Sequence, residues 1–302
     1  MKRLLGLLIA VMMIIAAVPV MAESPEFTIV SPDGAPALVV GALKDHLEMI
    51  TAENIASAFS GANADFVIAP VNAGAKLYKL GKSNYRLAAV VTWGNLVFAS
   101  QINEFTPEMI NDKKITLFGE NTINAVIALH ILKEKGIAPA EIEYLGSAKL
   151  TQAELLDKPD SIVMTAEPAA TAAQFKNDAV TAWALSDLYK EISGQDGFPQ
   201  AGLFVREQTL NEHPEEVKAW LALIQKSADR CSDENLIAAV CQDAVDMKIM
   251  RNEKIALKAI PGCNIRYVSA SEARAQLEAI ANLDLSQFGG ELPSDDFYYA
   301  EK

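Results

Sequence analysis

The chain has 302 residues, of which 51% are hydrophobic, and its formal net charge at pH 7 is −13. An acidic surface repels phosphate backbones and anionic lipid headgroups, so the charge disfavours nucleic acid and anionic membranes as partners. The length is sufficient for two domains of ordinary size.

The first 22 residues have the features of a cleaved export signal. Lys2 and Arg3 supply the positive start, an apolar run follows over 4–17, and Val20-Met21-Ala22 ends with a small residue at the cleavage site. The apolar run is short for a membrane span, and an uncleaved anchor is the alternative. No Cys follows the run, so a lipid anchor is not expected. The pattern predicts a free periplasmic or secreted protein that begins at Glu23.

The three cysteines leave two alternatives open. Export permits a disulfide, and Cys231 and Cys241 flank a predicted corner between two helices, so they could pair. The other alternative is three buried thiols, with Cys263 as the third. No pair has CxxC spacing, and the three His residues are far apart in sequence. The sequence therefore predicts neither a structural metal site nor a cofactor.

Short apolar strands alternate with helices along the whole mature chain. In the first part, strands are predicted at 27–30, 66–69 and 87–91, helices at 37–43 and after residue 71, an extended run at 97–100 and a short helix at 106–110. A second unit begins near residue 114, with strands at 115–118, 141–145, 161–165 and 181–185 and helices at 123–135, 151–156 and 167–175. The last part has a strand at 200–205 and helices at 207–225, 236–247, 253–259 and 271–283.

This alternation predicts an α/β protein with two lobes, each a mostly parallel sheet flanked by helices, and a ligand cleft between them. The chain is expected to cross between the lobes after Asn95 and to return near Gln200. The predicted organisation is a signal peptide at 1–22, a discontinuous lobe 1 at 23–96 and 199–302, and lobe 2 at 97–198.

The loops at the carboxyl ends of the strands are the predicted ligand-binding positions, because open α/β sheets bind ligands there. In lobe 1 the candidate residues are Asp33, Gly34, Ala35, Asn72, Ala73, Gly74, Thr92 and Trp93. Small residues leave room for a ligand, Asn72 can donate and accept hydrogen bonds, and Trp93 could stack on a flat or cationic group. The alternatives are a tight turn capped by Asp33, a helix capped by Asn72 and a core position for Trp93.

Lobe 2 contributes three candidates, Asn121, Thr122 and Glu167. Asn121 and Thr122 precede a predicted helix, where N–H and hydroxyl donors could hold an anion or simply cap the helix. Glu167 ends a strand before Pro168, and its carboxylate could accept a hydrogen bond from a ligand amine or ring N–H. The alternative is a first-turn glutamate that is stabilised by the helix dipole.

Four segments, taken in their order along the chain, resemble the ABC-transporter substrate-binding proteins that include the nitrate, taurine, aliphatic-sulfonate and thiamine-pyrimidine-precursor binders. They are Ser31-Pro32-Asp33-Gly34-Ala35, Ala69-Pro70-Val71-Asn72-Ala73-Gly74, Thr92-Trp93-Gly94-Asn95 and Thr165-Ala166-Glu167-Pro168-Ala169-Ala170. The resemblance implies a periplasmic-binding-protein fold, type II-like, whose lobes close on a small-molecule ligand. It also implies a monomer that performs no chemistry and delivers its ligand to the membrane permease of an ABC importer.

The acidic residues Asp33, Glu120 and Glu167 together favour a cationic or N–H-rich ligand, such as an N-heterocycle of the thiamine pyrimidine precursor type. A binder of taurine, sulfonate or nitrate is the alternative, and a ligand-sensing partner of a membrane receptor is another. Relatives of this fold also make the thiamine pyrimidine with a pyridoxal cofactor and a cysteine-rich motif. The export signal and the absence of clustered cysteines disfavour that enzyme here.

Overall fold

The computed structural model describes residues 26–300. The predicted signal peptide lies outside these residues. Within them, no helix is long and apolar enough to cross a membrane.

The structure contains two β-sheets. Their strands are β1 Ile29–Pro32, β2 Leu47–Ile50, β3 Phe66–Pro70, β4 Tyr85–Thr92, β5 Leu96–Ser100, β6 Lys114–Phe118, β7 Glu141–Leu145, β8 Ile162–Ala166, β9 Thr181–Ala184, β10 Ala201–Arg206 and β11 Ile265–Ser269. Lobe 1 contains a six-stranded sheet in the order β11-β4-β10-β3-β1-β2. Lobe 2 contains a five-stranded sheet in the order β7-β6-β8-β5-β9. The two-lobed α/β architecture is therefore confirmed, and the division of the chain at 96/97 and 198/199 stays a prediction.

Helices cover both sheets. They are α1 Ala35–Leu38, α2 Ile55–Gly61, α3 Val71–Lys79, α4 Ile123–Glu134, α5 Ala148–Asp157, α6 Ala169–Gln174, α7 Leu185–Ser193, α8 Glu207–Glu212, α9 Pro214–Asp229, α10 Ile237–Asp246, α11 Glu253–Ala259 and α12 Ala270–Ala281. Short 3-10 helices lie at Gly41–His46, Ala52–Asn54, Pro107–Ile110, Arg230–Ser232, Pro261–Cys263, Leu285–Phe288 and Asp295–Phe297.

Both sheets are mixed, where the sequence analysis expected mostly parallel ones. β1 runs parallel to β2 and β3, and β6 runs parallel to β7 and β8. β10 is antiparallel to β3 and β4, and β5 is antiparallel to β8 and β9. β5 and β10 are the strands that the chain forms just after it crosses between the lobes, so they enter their sheets from the cleft. A run of buried apolar residues has the same pattern in a parallel and in an antiparallel strand. The direction of β5 and β10 could therefore not be predicted from the sequence.

Three local predictions differ from the structure for identifiable reasons. β2 and β11 were not predicted, because edge strands that are only partly buried lack a continuous apolar run. The helix expected at 37–43 is α1 followed by a 3-10 helix. The long helix expected at 207–225 is two helices that break at His213, because a residue before proline is forced out of the helical region and Pro214 starts a new helix.

All three cysteines are free and buried, so Cys231 and Cys241 do not form the disulfide that was one of the two alternatives. Burial raises the pKa of the Cys231 thiol to about 12. Burial also raises the pKa of Cys241 and, further, that of Cys263. Neutral thiols of this kind behave as small apolar side chains in the packed layer of lobe 1.

Candidate functional site

A cleft of about 1160 Å³ separates the two lobes. Its lobe 1 wall includes the segments that follow β1, β3 and β4, and its lobe 2 wall includes the segments that follow β6, β7 and β8. Carboxyl ends of strands from two sheets thus face the same space, which is the usual ligand position in open α/β sheets.

The lobe 1 wall is formed by two turns and the start of a helix. Gly34 follows β1 with φ 92°, a conformation that a residue with a side chain rarely adopts, so glycine is needed for this turn. Asn72 and Ala73 lie in the first turn of α3 and line the cleft. Gly74 has a different role, because a Cβ there would lie 2.3 Å from the Phe204 ring of β10. Gly74 therefore allows α3 to pack closely on the sheet.

Asn95 joins the two lobes at the first crossing of the chain. Its backbone N–H donates to Gln200 Oε1 at 2.9 Å, and its Nδ2 donates to Glu167 O at 2.8 Å. The Glu167 N–H donates in return to Asn95 O at 2.8 Å. Gln200, at the second crossing, donates from Nε2 to Asn124 Oδ1 of α4 at 3.0 Å. The floor of the cleft is therefore a network of neutral amides that spans both crossings.

Two buried amide oxygens beside the cleft have no partner among the described residues, one of them in this network and one on Asn72 of α3. Within the part of the chain that the structure describes, the buried side-chain oxygens without a hydrogen bond include Asn72 Oδ1 and Asn95 Oδ1. Asn72 is 5% exposed and Asn95 is 7% exposed, and both residues line the cleft. Buried amide oxygens almost always accept from a protein group, a ligand or an ordered water, and among the described residues no protein group donates to these two.

Glu167 lines the cleft, but its carboxylate already has donors from its own lobe. Oε2 accepts the Thr171 N–H at 3.1 Å, and Oε1 accepts the Thr171 hydroxyl at 2.9 Å. Burial raises the pKa of the Glu167 carboxyl, while the two Thr171 hydrogen bonds and Lys258 act in the opposite direction. Glu167 lies before the N-cap Pro168, and not in the first turn as the alternative interpretation had it, and its carboxylate accepts from Thr171 at the start of α6. A contact between Glu167 and a ligand stays a prediction.

Asn121 and Thr122 lie between β6 and α4 and also line the cleft. Asn121 has φ 57°, which Asn tolerates better than most residues. Thr122 is the N-cap of α4, but its hydroxyl donates to Gly119 O instead of accepting from the helix. The first N–H groups of α4 are therefore without a side-chain cap at the edge of the cleft.

Charged side chains bring the two lobes into contact at two places near the cleft. Lys149 of α5 donates to the Asp33 carboxylate across the opening. On another side, the ammonium groups of Lys254 and Lys258 each lie 5.6 Å from the centroid of the Phe175 ring. Phe175 belongs to lobe 2 and both lysines to lobe 1, so the lobes are in contact at both places.

Solved structures resemble the chain over most of its length. An ABC transporter structure from Parabacteroides distasonis superposes with a TM-score of 0.77 at 17% identity and covers 91% of this chain and 99% of that one. The periplasmic aliphatic sulphonate binding protein SsuA from Escherichia coli gives 0.67 at 12% identity, with 92% and 93% covered. The ligand-binding component of an ABC-type import system from Staphylococcus aureus, with zinc bound, gives 0.67 at 14%, with 90% and 95% covered.

The chain has the periplasmic-binding-protein fold. This confirms the resemblance at the level of the fold. Comparisons with protein-family models and with curated protein sequences find no match. One of these similar structures has zinc bound and another is described as a sulphonate binding protein, so the fold does not identify the ligand. Residues 26–300 here contain no group of three or more His, Cys, Asp or Glu side chains placed to hold a metal ion.

Most of the predicted site residues of this periplasmic-binding-protein fold lie around one cleft. They are Asp33, Gly34, Ala35, Asn72, Ala73, Thr92, Asn121, Thr122 and Glu167. The sequence analysis missed Asn95, Asn124 and Gln200 as cleft residues. The available signal was that Asn95 and Gln200 are amides at the two predicted crossings.

The structure does not bring Trp93 into the interlobe cleft. Trp93 is 2% exposed and lines a separate cavity of about 650 Å³. Its Nε1–H donates to Arg266 O at 3.0 Å, and the Arg266 guanidinium lies 4.4 Å from the centroid of its ring. These contacts correspond to the core alternative for Trp93 and not to stacking on a ligand in the cleft.

Proposed function

We propose that this chain is the extracytoplasmic solute-binding component of an ABC importer. It captures a small molecule in the interlobe cleft and delivers it to a membrane permease. The observation that carries the proposal is a large cleft lined by strand ends of both lobes. The chain crosses between the sheets after β4 and again before β10, so the lobes can rotate about two short crossings and close on a ligand.

The residues of the cleft suit binding better than catalysis. Among the described residues that line it there is no His and no Cys, and the Glu167 carboxylate is engaged by Thr171. Amides and hydroxyls that are held by a hydrogen-bond network orient a ligand without reacting with it. The proposed protein therefore acts without a cofactor and performs no chemistry.

For the ligand we propose an N-heterocycle, such as a thiamine pyrimidine precursor. Acceptor oxygens on Asn72 and Asn95 support a ligand that carries N–H groups. The second candidate is an anion of the taurine, sulfonate or nitrate type. It is favoured by the helix α4, which starts at the cleft without a side-chain cap, and by Lys76 and Lys176 in the lining.

The proposed setting follows from the sequence. The predicted export signal supports a location in the periplasm or outside the cell, and the resemblance supports a monomer with a permease as its partner. The alternative is a receptor partner that senses the same ligand and does not transport it. Deletion of the proposed permease would abolish uptake only in the first case.

A thermal-shift screen tests the proposal. The mature chain would be unfolded and refolded to remove carried ligand, then mixed with thiamine pyrimidines, other nitrogen heterocycles, taurine, alkyl sulfonates, nitrate or bicarbonate. A ligand of the native state raises the melting temperature by mass action, by an amount that grows with concentration. We expect one ligand class to raise it.

Two matched variants locate the site. Ala73→Phe places a ring in the cleft and should abolish the shift, whereas Ala219→Phe, on α9 outside the cleft, should leave it intact. A flat screen with well-folded protein would count against these ligand classes. A shift that survives Ala73→Phe would show that the ligand binds elsewhere.

A further inference from the structure

Asn72 and Asn95 approach the cleft from different parts of lobe 1. Asn72 belongs to the first turn of α3, and Asn95 belongs to the crossing between β4 and β5. Each has a buried Oδ1 without a hydrogen-bond partner. The two unpartnered oxygens therefore arise at two separate places in lobe 1, and no single local turn accounts for both.

The orientation of the Asn95 amide is set by its neighbours. Nδ2 donates to Glu167 O at 2.8 Å, so the nitrogen faces the backbone of lobe 2 and the remaining atom is an acceptor. The amide groups close to it are already committed, since Gln200 accepts from Asn95 N–H through Oε1 and donates to Asn124 through Nε2. Asn95 Oδ1 is left to accept from something outside this network.

Leaving an amide oxygen buried without a donor costs folding free energy, so each of these oxygens is expected to accept from a donor outside the protein chain, a ligand or an ordered water. A ligand N–H or O–H would satisfy the acceptor. A sulfonate or nitrate oxygen would face it with another acceptor, which is unfavourable. The two oxygens therefore discriminate by hydrogen-bond polarity, and such discrimination is strong because the wrong ligand leaves buried polar groups unpaired.

We propose that Asn72 and Asn95 determine the ligand class by accepting two hydrogen bonds from the ligand. The ligand is then a small amine or amino-heterocycle, neutral or cationic, with at least two N–H or O–H donors. The inference rests on the proposed function, because it concerns the same cleft. Asn95 also joins the lobes through Glu167, so a donor on Asn95 Oδ1 acts at the crossing about which the lobes move.

Matched probe pairs test the proposal by titration calorimetry on the refolded mature chain. 4-Aminopyrimidine is compared with 4-methoxypyrimidine, and taurine with ethanesulfonate, since the second member of each pair lacks the N–H donors. We expect the donor-bearing member of at least one pair to bind about tenfold or more tightly than its partner, as expected for loss of a buried hydrogen bond.

Asn72→Leu separates a ligand contact from a structural role. It removes an acceptor that has no partner in the free protein, so the melting temperature of ligand-free protein should rise or stay unchanged. The same variant should lose most of the tenfold preference for the donor-bearing probe. A purely structural asparagine would lower the melting temperature without changing the preference.

Asn111→Leu is the matched control. Its Nδ2 donates to Glu108 O at 3.1 Å and its Oδ1 accepts the Ala138 N–H at 2.8 Å, outside the cleft. This variant should lower the melting temperature and leave the affinity for every probe unchanged.

The outcomes separate the two proposals. If the donor-free probes bind as tightly as their partners, or if Asn72→Leu keeps the preference, the inference about the ligand class is wrong and solute binding stands. If no donor-bearing probe binds, the inference is also wrong. If the donor-free probes fail as well, the proposed function loses its support for these ligand classes.

Discussion

Lys149 donates a hydrogen bond to the carboxylate of Asp33 across the mouth of the cleft. Asp33 follows β1 of lobe 1, and Lys149 lies in the first turn of α5 in lobe 2. Among the ion pairs of the described residues, this is the one that connects lobe 1 with lobe 2. Its formation depends on the distance between the lobes, so it favours the arrangement in which they are in contact.

Lys149→Gln should weaken ligand binding without affecting folding. The two side chains are 74% and 51% exposed, so the pair contributes less than about 1 kcal/mol to the free energy of unfolding. Without this ion pair the lobes separate more easily, so the closed arrangement that holds the ligand is less favoured. The affinity for the identified ligand should therefore fall by up to about fivefold at low salt. The difference from the natural chain should shrink as salt screens the pair.

Lys158→Gln is the control for this prediction, because it removes the same charge just past the end of α5 from an ion pair within lobe 2. Calorimetry at two salt concentrations distinguishes the two variants. Equal losses of affinity in both would show that only net charge matters.

Trp93→Ala should destabilise the fold much more than it weakens binding, as expected for a core tryptophan and not for one that stacks on the ligand. The side chain is buried, its N–H is bonded to Arg266 O, and it lies outside the cleft. Removal of a buried tryptophan costs about 3–5 kcal/mol. Urea unfolding measures this loss, and ligand affinity should change by less than about twofold in protein that remains folded.

Trp183→Ala offers a comparison, because Trp183 is 40% exposed and its Nε1–H donates to Phe105 O at 2.8 Å. We expect a smaller loss of stability there. A large loss of ligand affinity in Trp93→Ala, with stability preserved, would show that Trp93 contacts the ligand.

Glu167→Gln should change how stability depends on pH. Burial raises the pKa of this carboxyl in the folded protein, so the folded state holds the proton more tightly than the unfolded state. The resulting stabilisation is present below the ordinary carboxyl pKa and is lost as pH rises through the raised value. Glutamine does not titrate, so the stability of the variant relative to the natural chain should increase as pH rises from the ordinary carboxyl pKa through the raised value.

Denaturant unfolding at several pH values measures this difference for Glu167→Gln. A stability difference that is constant with pH would show that the Glu167 carboxyl is not perturbed. Binding provides a separate readout: a loss of about 1.5–3 kcal/mol in ligand affinity would show a charged hydrogen bond to the ligand in addition to the bonds with Thr171.

The three thiols should be unreactive in the folded protein. Burial raises the pKa of Cys231 to about 12 and also raises those of Cys241 and Cys263, so almost no thiolate is present at neutral pH. A thiol reagent should label none of them in native protein and all three after unfolding without reductant. Labelling of a single cysteine in unfolded, unreduced protein would indicate a disulfide.

The location of the cleft was accessible from the sequence, but the roles of its residues were not. Strand ends such as Asp33-Gly34 and Asn72-Ala73 could be located because buried strands have continuous apolar runs and small or polar residues end them. Glu167 was correctly placed at a strand end. Whether its carboxylate faces a ligand or Thr171 depends on side-chain direction, which periodicity does not determine.

Asn95 is a second residue whose position could be predicted from the sequence but whose contacts could not. The sequence placed it at the crossing, yet its importance arises from Glu167 and Gln200, which are 72 and 105 residues away along the chain. Long-range hydrogen bonds leave no local pattern in the sequence. Trp93 is the converse case, since an aromatic residue at a strand end looks the same whether it faces the cleft or the cavity behind it.

By itself the sequence determined the alternation of strands and helices, the crossings near Asn95 and Gln200 and the acidic surface, because these depend on local apolar patterning and on composition. Tertiary structure alone decided the antiparallel course of β5 and β10, the free thiols, the position of Trp93 and the two unpartnered oxygens of Asn72 and Asn95. Each of these depends on contacts between residues that are distant in sequence, and such contacts exist only once the two sheets have folded.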